Sequence, residues 1–273
     1  MSAITARDIS DYVATQDDFD LELFVNRTLK ERGVLSEHGG TYIDPYTNKP
    51  RQFDIRASIE FGKLGWGLNL AIECKSLSAE YPLIVSRVPR PAPESTYYLI
   101  KSWGRAEMGE RFVAVLPSGN GLQLYPSGSP VGKQTFQLKK EPPPKNFKSG
   151  DSEAYDKWAQ ALASAADLVR MGGGAHIVYR KEAFFTLVLP VLVVSDDTLW
   201  VVDYDEEGQH VGPSHQVDAC ELYVDREYAL ADGKSYRISH LHIYTRKGLV
   251  AFLDSLTGPS SLQVERMFRC TVK

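Results

Sequence analysis

Apolar and polar positions follow two different rhythms in the N-terminal quarter of the chain. Four apolar residues recur at near-helical spacing and stop at a glycine, which predicts a first helix: Phe19, Leu23, Val25 and Leu29, before Gly33. Residues 41–43 predict a short strand, and residues 44–50 have the Asp, Pro and Asn content of a turn. Residues 52–59 alternate and residues 68–74 are apolar and β-prone, with glycines between them. We therefore expect two antiparallel strands joined by a glycine-rich loop.

The next part of the chain mixes strand patterns with proline-rich interruptions. Residues 81–88 predict a further strand, and the prolines from Pro89 to Pro93 stop it. Residues 112–116 and 121–125 flank a Pro-Ser-Gly-Asn turn and predict a β-hairpin, which we interpret as part of a segment inserted into the core.

The C-terminal half begins with the strongest helical pattern in the sequence. An acidic start and an apolar stripe over residues 151–170, followed by three glycines, predict a long amphipathic helix. Residues 184–194 and 198–204 predict buried strands, and residues 248–256 predict a short terminal helix. Helix, strands, helix, strands is the order of an α/β layer fold with a mixed sheet.

The domain organisation that we predict is a single domain over all 273 residues. Its core takes in residues 15–88 and 150–204, residues 89–149 form the insertion, and residues 205–273 add strands and a short helix. The formal net charge of -4 gives no overall attraction for nucleic acid, so a polyanion would have to meet a local basic surface.

The cellular compartment is predicted from segments that the sequence lacks. The polar, acidic N-terminus has neither the basic start nor the apolar stretch of a signal peptide. The longest apolar run, residues 183–194, covers about 12 residues against about 20 for a membrane span. The three cysteines are far apart and form no CxxC pair. We expect a cytoplasmic protein with no membrane partner, disulfide framework or zinc site.

The residues that point to chemistry lie on the two predicted antiparallel strands. Because strand side chains alternate, Glu73 and Lys75 share one face and Cys74 takes the other. Asp54 lies on the strand expected to pair with this one. Neighbouring strands are about 4.8 Å apart and carboxylate oxygens bind Mg²⁺ at about 2.1 Å, so one ion can bridge Asp54 and Glu73. Such an ion would polarise a phosphate and activate a water, which Lys75 would orient.

These residues, in their helix and strand-turn-strand setting, resemble the PD-(D/E)XK nuclease superfamily, whose fold is called restriction-endonuclease-like. The resemblance implies that Asp54 and Glu73 bind metal and that Lys75 positions the attacking water. The first helix of the superfamily often carries a Glu near the metal, and Glu22 is the matching residue. The implied fold is a mixed β-sheet core flanked by helices, here with the inserted hairpin segment and additional C-terminal strands.

The sequence also departs from the superfamily pattern. Phe53 stands before Asp54 where the motif has Pro, and Gln52 stands where many members have Glu. A helical Gln-x-x-x-Gln or Gln-x-x-x-Tyr signature found in some branches is reduced to Gln160. The sequence therefore does not assign the chain to one branch of the superfamily.

The resemblance implies a metal-dependent nuclease that hydrolyses phosphodiester bonds, with DNA as the expected substrate and Mg²⁺, or Mn²⁺ in its place, as cofactor. Bacterial defence is one role compatible with that superfamily. The alternative is a catalytically silent module that binds nucleic acid or assembles with a partner protein. A third hypothesis is a subunit that acts only when it is docked on a partner, and a homodimer is also compatible with the sequence.

Residues 87–148 are the basic part of the chain and carry several aromatic residues. We predict nucleic-acid contacts from Arg87, Arg90, Lys101 and Arg105, with ordinary surface charge as the alternative. Two other pairs of residues are predicted to have no functional role. Lys157 and Gln160 are expected on the solvated side of their helix, and His240 and His242 share a strand face but lack a third metal ligand.

Overall fold

The computed structural model has a mixed α/β fold with one large mixed β-sheet and four α-helices. It describes residues 3–16, 18–61, 65–105, 110–117, 124–144, 146–150, 152–171, 184–229 and 235–257. The helices are α1 (Ala6–Gln16), α2 (Phe19–Glu31), α3 (Ser152–Arg170) and α4 (Arg246–Thr257), with a 3-10 helix at Ala92–Ser95. The strands are β1 (Leu35–Ile43), β2 (Pro50–Phe61), β3 (Trp66–Lys75), β4 (Leu83–Pro89), β5 (Tyr98–Arg105), β6 (Glu110–Pro117), β7 (Pro130–Lys140), β8 (Phe147–Gly150), β9 (Phe184–Val194), β10 (Leu199–Asp203), β11 (His215–Gln216), β12 (Ala219–Ala229) and β13 (Ser235–Thr245).

The sheet runs in the order β1-β2-β3-β9-β13-β12-β7-β4-β10-β11, with β5 on β9, β6 on β5 and β8 on β7. Strands β1, β2 and β3 form an antiparallel meander. Strand β9 is parallel to β3, and β13 is parallel to β9. The mixed sheet flanked by helices that the sequence predicts is therefore confirmed.

Helices cover both faces of the central strands, because β3 and β9 are apolar on both sides. One core cluster joins α2 and α4 to one face, and its members include Leu21, Val25, Leu29, Ile55, Leu70, Ile72, Leu249 and Leu253. The other cluster joins α3 to the opposite face, and its members include Trp158, Ala161, Leu162, Ala165, Ala71, Val188 and Leu192. Since side chains alternate along a strand, residues 54 and 73 point toward the face that carries α3.

Three of the four helices lie where their apolar stripes predict them. Helices α2, α3 and α4 are confirmed, although the three glycines after α3 lie outside the described residues. Helix α1 was not predicted, because the N-terminal segment is polar and its described side chains are exposed. It begins at a reciprocal cap in which Asp8 Oδ2 accepts the Thr5 amide at 2.8 Å and Thr5 Oγ1 accepts the Asp8 amide at 3.2 Å.

The strands predicted around the metal-binding motif are confirmed, and the first of them is longer than expected. Strands β2 and β3 are antiparallel, as predicted from the alternation. Strand β1 begins at Leu35 rather than at residue 41, because pairing with β2 extends a segment that has poor intrinsic strand propensity. Gly40 allows this pairing, since a Cβ there would lie 2.5 Å from the Phe53 ring.

The predicted hairpin between residues 112–116 and 121–125 has its turn and most of its second strand outside the described residues. The first of these segments lies in β6 and pairs with β5, over the register Tyr98↔Pro117 to Arg105↔Glu110. Strand β5 offers a longer, β-prone partner than the second segment, which has a glycine at its start. Residues 121–123 lie outside the described residues, and Leu124 and Tyr125 form a bend.

The segment interpreted as an insertion supplies strands to the same sheet. Strand β5 pairs with β9, and β7 pairs with both β4 and β12. Strands β12 and β13 and helix α4 follow residue 205, where additional strands and a short helix were predicted. In the described ranges, no helix has the length and apolar character needed to cross a bilayer.

Candidate metal centre

Asp54 and Glu73 meet at the point where the β2–β3 ladder ends. The last paired residues of that ladder are Ile55 and Ile72, and the two acids follow directly on the α3 face. Asp54 donates its backbone N–H to Glu73 Oε1 at 3.4 Å. The Asp54 carboxylate in turn accepts the Cys74 amide at 2.8 Å. The predicted convergence of the two carboxylates is present in the structure.

Glu73 is an unusual carboxylate because it has no exposed surface at all. Its Oε2 atom is buried and has no hydrogen-bond partner among the described residues. Burial, followed by the charge of Asp54, raises the pKa of Glu73 well above its ordinary value, against the opposing effect of Lys157. Isolated buried carboxylates are costly, so this pair needs a positive charge beside it.

The positive charge beside the two acids belongs to Lys157 of α3, which was expected to be solvated. Its Nζ lies 2.9 Å from Asp54 Oδ2 and 3.6 Å from Glu73 Oε2. Burial works to lower the pKa of the Lys157 ammonium, but Asp54 and Glu73 outweigh burial and raise it. The prediction of a solvated Lys157 is wrong, because small residues on several sides of α3 let the helix lie close to the sheet, among them Ala161, Ala163, Ser164, Ala165 and Ala166.

Lys75, the third motif residue, lies at the end of β3 beside a carboxylate from the start of α2. Its Nζ is 3.6 Å from Asp18 Oδ2, and both side chains are mostly buried. Asp18 Oδ1 also accepts the Ser76 amide at 2.7 Å. Asp18 therefore ties α2 to the end of β3, a role that its position before the first predicted helix does not reveal in the sequence.

Glu22 lies on the other side of the sheet from the Asp54 and Glu73 carboxylates. It pairs with His38 of β1, whose Nε2 is 2.9 Å from Glu22 Oε2, and the His38 ring stacks on Phe19. Glu22 thus pairs with His38 and not with the two carboxylates. Burial raises the pKa of the Cys74 thiol, and the charges of Asp54, Glu22 and Glu73 raise it further.

The approach to Asp54 is open on the β1 side. Gly39 lies between the paired residues His38 and Gly40, opposite Asp54. It has a φ of +70°, and a Cβ at this position would meet nothing within 4 Å. Gly39 is exposed, so this part of β1 faces open space.

The four basic residues predicted to contact nucleic acid have different surroundings. Arg87 makes two hydrogen bonds of 2.8 Å to Asp203, and the buried Arg90 pairs with Glu221 at 2.5 Å. Lys101 Nζ lies 5.5 Å from the centre of the Phe185 ring, and the side chain of Arg105 is outside the described part of the chain. Both Arg87 and Arg90 are therefore held by acids within the protein, and Arg90 has no surface to offer to a phosphate.

The two histidines of β13 are buried and pack against aromatic residues. The His240 ring stacks on Tyr125 with centroids 3.7 Å apart. His242 Nε2 lies 2.7 Å from the Tyr125 hydroxyl, and its Nδ1 lies 3.1 Å from the Tyr244 hydroxyl. Burial, aided by Arg90, lowers the pKa of His240 to about 2.

This buried histidine makes the protein sensitive to acid. Unfolded His titrates near pH 6.5, so below that pH the unfolded chain takes up a proton that folded His240 does not bind. Above about pH 6.5 this histidine is neutral in both the folded and the unfolded chain, and the free energy of unfolding falls as the pH drops below that value. Between about pH 7 and pH 5, we expect the free energy of unfolding to fall by about 2 kcal/mol less in His240→Phe than in wild type. Urea unfolding at both pH values measures this, with the exposed His215→Phe as control, and equal pH dependence in all three proteins would contradict it.

The donor set at the end of the β2–β3 ladder is a pair of carboxylates. Among the described residues, no group of three His, Cys, Asp or Glu side chains is arranged to hold a metal ion. Mg²⁺ is commonly bound through one or two carboxylates, with waters and substrate phosphates completing its shell. Asp54 and Glu73, whose Oε2 accepts no hydrogen bond and contacts only the Lys157 ammonium among the described residues, therefore fit Mg²⁺ better than a metal that needs an all-protein site.

Comparisons of the chain with protein-family models, with curated proteins and with solved structures gave no match.

Proposed function

We propose that the chain is a metal-dependent nuclease of restriction-endonuclease-like fold that hydrolyses phosphodiester bonds, with DNA as its substrate. The observation that supports this most strongly is the meeting of Asp54 and the fully buried Glu73 at the end of the β2–β3 ladder. Two carboxylates next to a polyanion would repel it, so the pair favours a site whose negative charge is used to hold a cation.

Each residue of the site has a role that its position supports. A Mg²⁺ ion bound by Asp54 and Glu73 would supply a Lewis acid for the scissile phosphate and lower the pKa of a coordinated water. Lys75, two residues beyond Glu73, would orient the attacking water and stabilise the charge that develops on the phosphate. Asp18 holds the Lys75 ammonium at the end of the strand that carries Glu73.

The restriction-endonuclease-like fold is supported by the order of elements around this site. Helix α2 is followed by the antiparallel β1, β2 and β3, and then by α3 and the parallel strand β9. The metal ligands and the lysine are thereby placed on two central strands between two helical layers. Such an arrangement fits the mixed sheet that the motif resemblance implies.

A catalytically silent nucleic-acid-binding module is the second candidate, and the position of Lys157 favours it. The ammonium group contacts both carboxylates and neutralises charge that a metal would otherwise neutralise. A fold that no longer binds metal would keep its buried Glu73 through this contact. The nuclease proposal instead requires Lys157 to give way when a metal binds.

Cleavage assays separate the two candidates. Wild type and Lys75→Ala are incubated with supercoiled, linear and single-stranded DNA and with RNA, each with Mg²⁺, Mn²⁺ or EDTA. We expect wild type to cut DNA only with metal and Lys75→Ala to cut at least about 100-fold more slowly while keeping its melting temperature. If wild type cuts no substrate under any condition, the nuclease proposal fails and the silent module takes its place.

A further inference from the structure

Strands β7 and β8 form a hairpin whose outer part carries several exposed lysines. Lys139, Lys140 and Lys148 are all exposed, and the neighbouring Phe147 side chain is 61% exposed. Within the described residues, no carboxylate forms an ion pair with any of these three lysines. Glu141 is the one acid among the described residues of this outer part, so the hairpin presents a net positive charge on a protein whose net charge is -4.

The arrangement of the lysines is unfavourable for the isolated hairpin. Lys139 and Lys148 are directly paired across the two strands, and Lys140 is paired with Phe147. Like charges that face each other across a strand pair are destabilising. Arg87, Arg90 and Lys133 each form an ion pair with an acid, whereas the three hairpin lysines do not, so the hairpin is the part of the segment whose described lysines have no ion-pair partner.

The base of the hairpin contacts the loop that follows β3, the strand that carries Glu73. Gln137 and Gly150 form its first rung, and Gln137 Nε2 donates to the carbonyl of Tyr81, in the loop that follows β3. Gly150 lets the Tyr81 hydroxyl approach, since a Cβ at position 150 would lie 2.7 Å from it. Lys139 and Lys148 share a face with this rung, because they are two residues beyond it on each strand.

The distance from the hairpin to the site suits a nucleic-acid strand. Gly150 precedes α3, and the helix rises about 7.5 Å between Ser152 and Lys157. With the two connecting residues, the first rung lies within roughly 15 Å of Lys157. The lysines lie two and three residues further out, about 7 to 10 Å along the strands, and so within roughly 25 Å of Lys157. Phosphates along one strand of a duplex are about 3.4 Å apart in rise, so this distance spans at most about seven nucleotide steps.

From these contacts we propose that the β7–β8 hairpin binds the phosphate backbone of a nucleic acid a few nucleotides from the phosphate at Asp54 and Glu73. The inference rests on the proposed nuclease function and adds the surface that holds its substrate. Lys139, Lys140 and Lys148 release counterions from the backbone, and Phe147 offers an aromatic face to a base. Repulsion between the paired lysines is relieved when phosphates lie between them.

The test is the salt dependence of DNA binding by the full chain, in EDTA so that no cleavage occurs. Fluorescence anisotropy with labelled single-stranded and duplex oligonucleotides is recorded between roughly 50 and 200 mM KCl. For the triple variant Lys139→Gln, Lys140→Gln, Lys148→Gln we expect the slope of log K against log salt to become shallower by about 2 to 3. The affinity at the lowest salt should fall at least about tenfold.

Two matched variants serve as controls for this measurement. The exposed-lysine variant Lys30→Gln, Lys49→Gln, Lys247→Gln has the same change in net charge and should keep the wild-type slope. Replacing the three hairpin lysines by Arg should also keep it, because the charge is retained. Thermal melting checks that each protein is folded.

The possible failures are distinguishable when cleavage is assayed on the same proteins. If wild type binds and cuts DNA but the Gln hairpin variant keeps the wild-type slope, the hairpin proposal is overturned and the metal site stands. If wild type neither binds nor cuts, the proposed function fails and the hairpin proposal fails with it.

Discussion

Replacing Glu73 by Gln is expected to lower Mg²⁺-dependent cleavage by roughly 10³-fold. The substitution keeps the size of the side chain but removes one of the two charges that would hold the metal. A bound metal contributes several kcal/mol of charge stabilisation in phosphoryl hydrolysis, and about 4 kcal/mol corresponds to a factor of 10³ in rate. Initial rates on a plasmid at saturating Mg²⁺ measure the effect.

The control for this substitution is Glu37→Gln, the same chemical change at an exposed position on β1. We expect it to cut like wild type. The Glu73→Gln protein should remain folded, because a neutral amide is less costly to bury than a carboxylate. A Glu73→Gln protein that is folded and cuts within a factor of about three of wild type would contradict the assignment of Glu73 as a metal ligand.

Replacing Lys157 by Met is expected to destabilise the metal-free protein by about 3 kcal/mol. The ammonium group is the positive charge that contacts both Asp54 and Glu73, and Met leaves the buried carboxylate unpaired. Mg²⁺ should restore the missing charge, since a ligand at 100 times its Kd stabilises the folded state by about 2.7 kcal/mol. The melting temperature of Lys157→Met should therefore rise with Mg²⁺ more steeply than that of wild type, in which the ammonium has to be displaced.

Differential scanning fluorimetry in EDTA and over a Mg²⁺ series tests this expectation. Lys157→Arg is the matched control, because it keeps a positive charge on α3 and should melt near wild type in EDTA. If Lys157→Met melts with wild type in EDTA, or if Mg²⁺ does not stabilise it, then Lys157 is not the counterion that the metal would replace.

Most of the central fold could be predicted from the sequence because its patterns are long and periodic. The apolar stripes of α2 and α3 each lead to a buried helix face, and the alternation of β2 leads to the strand that pairs with β3. Pairing between distant strands could not be predicted. Strand β6 had two β-prone neighbours in the sequence, and a strong turn signal at residues 117–120 favoured the later one, whereas β6 pairs with β5.

The site was predictable where its residues share a local pattern and unpredictable where they come from separate elements. The alternation of β3 places Glu73 and Lys75, and pairing with β2 adds Asp54. Lys157 comes from a helix far along the chain, and its orientation depends on how closely α3 packs on the sheet. The alanine-rich and serine-rich composition of α3 is the signal for that packing, because a helix with small residues on several sides is buried on several sides.

A similar limit applies to the charges predicted to bind nucleic acid. The sequence shows that residues 87–148 are basic, but the ion pairs of Arg87 and Arg90 exist only because β10 and β12 bring Asp203 and Glu221 beside them. Among the described residues, no carboxylate forms an ion pair with Lys139, Lys140 or Lys148 of the β7–β8 hairpin, although Glu141 follows Lys140 in the chain. Folding therefore decides which basic residues are available to a polyanion.

The central claim is that Asp54 and Glu73 hold a divalent metal ion, and a crystal structure of the protein with Mn²⁺ tests it most directly. We expect an anomalous scattering peak between the two carboxylates, with the Lys157 ammonium moved away from its contact with Asp54. Diffraction from Asp54→Asn crystals grown with Mn²⁺ should lack the peak. A wild-type map with no peak at this position, and with Lys157 still in contact with both acids, would contradict the claim.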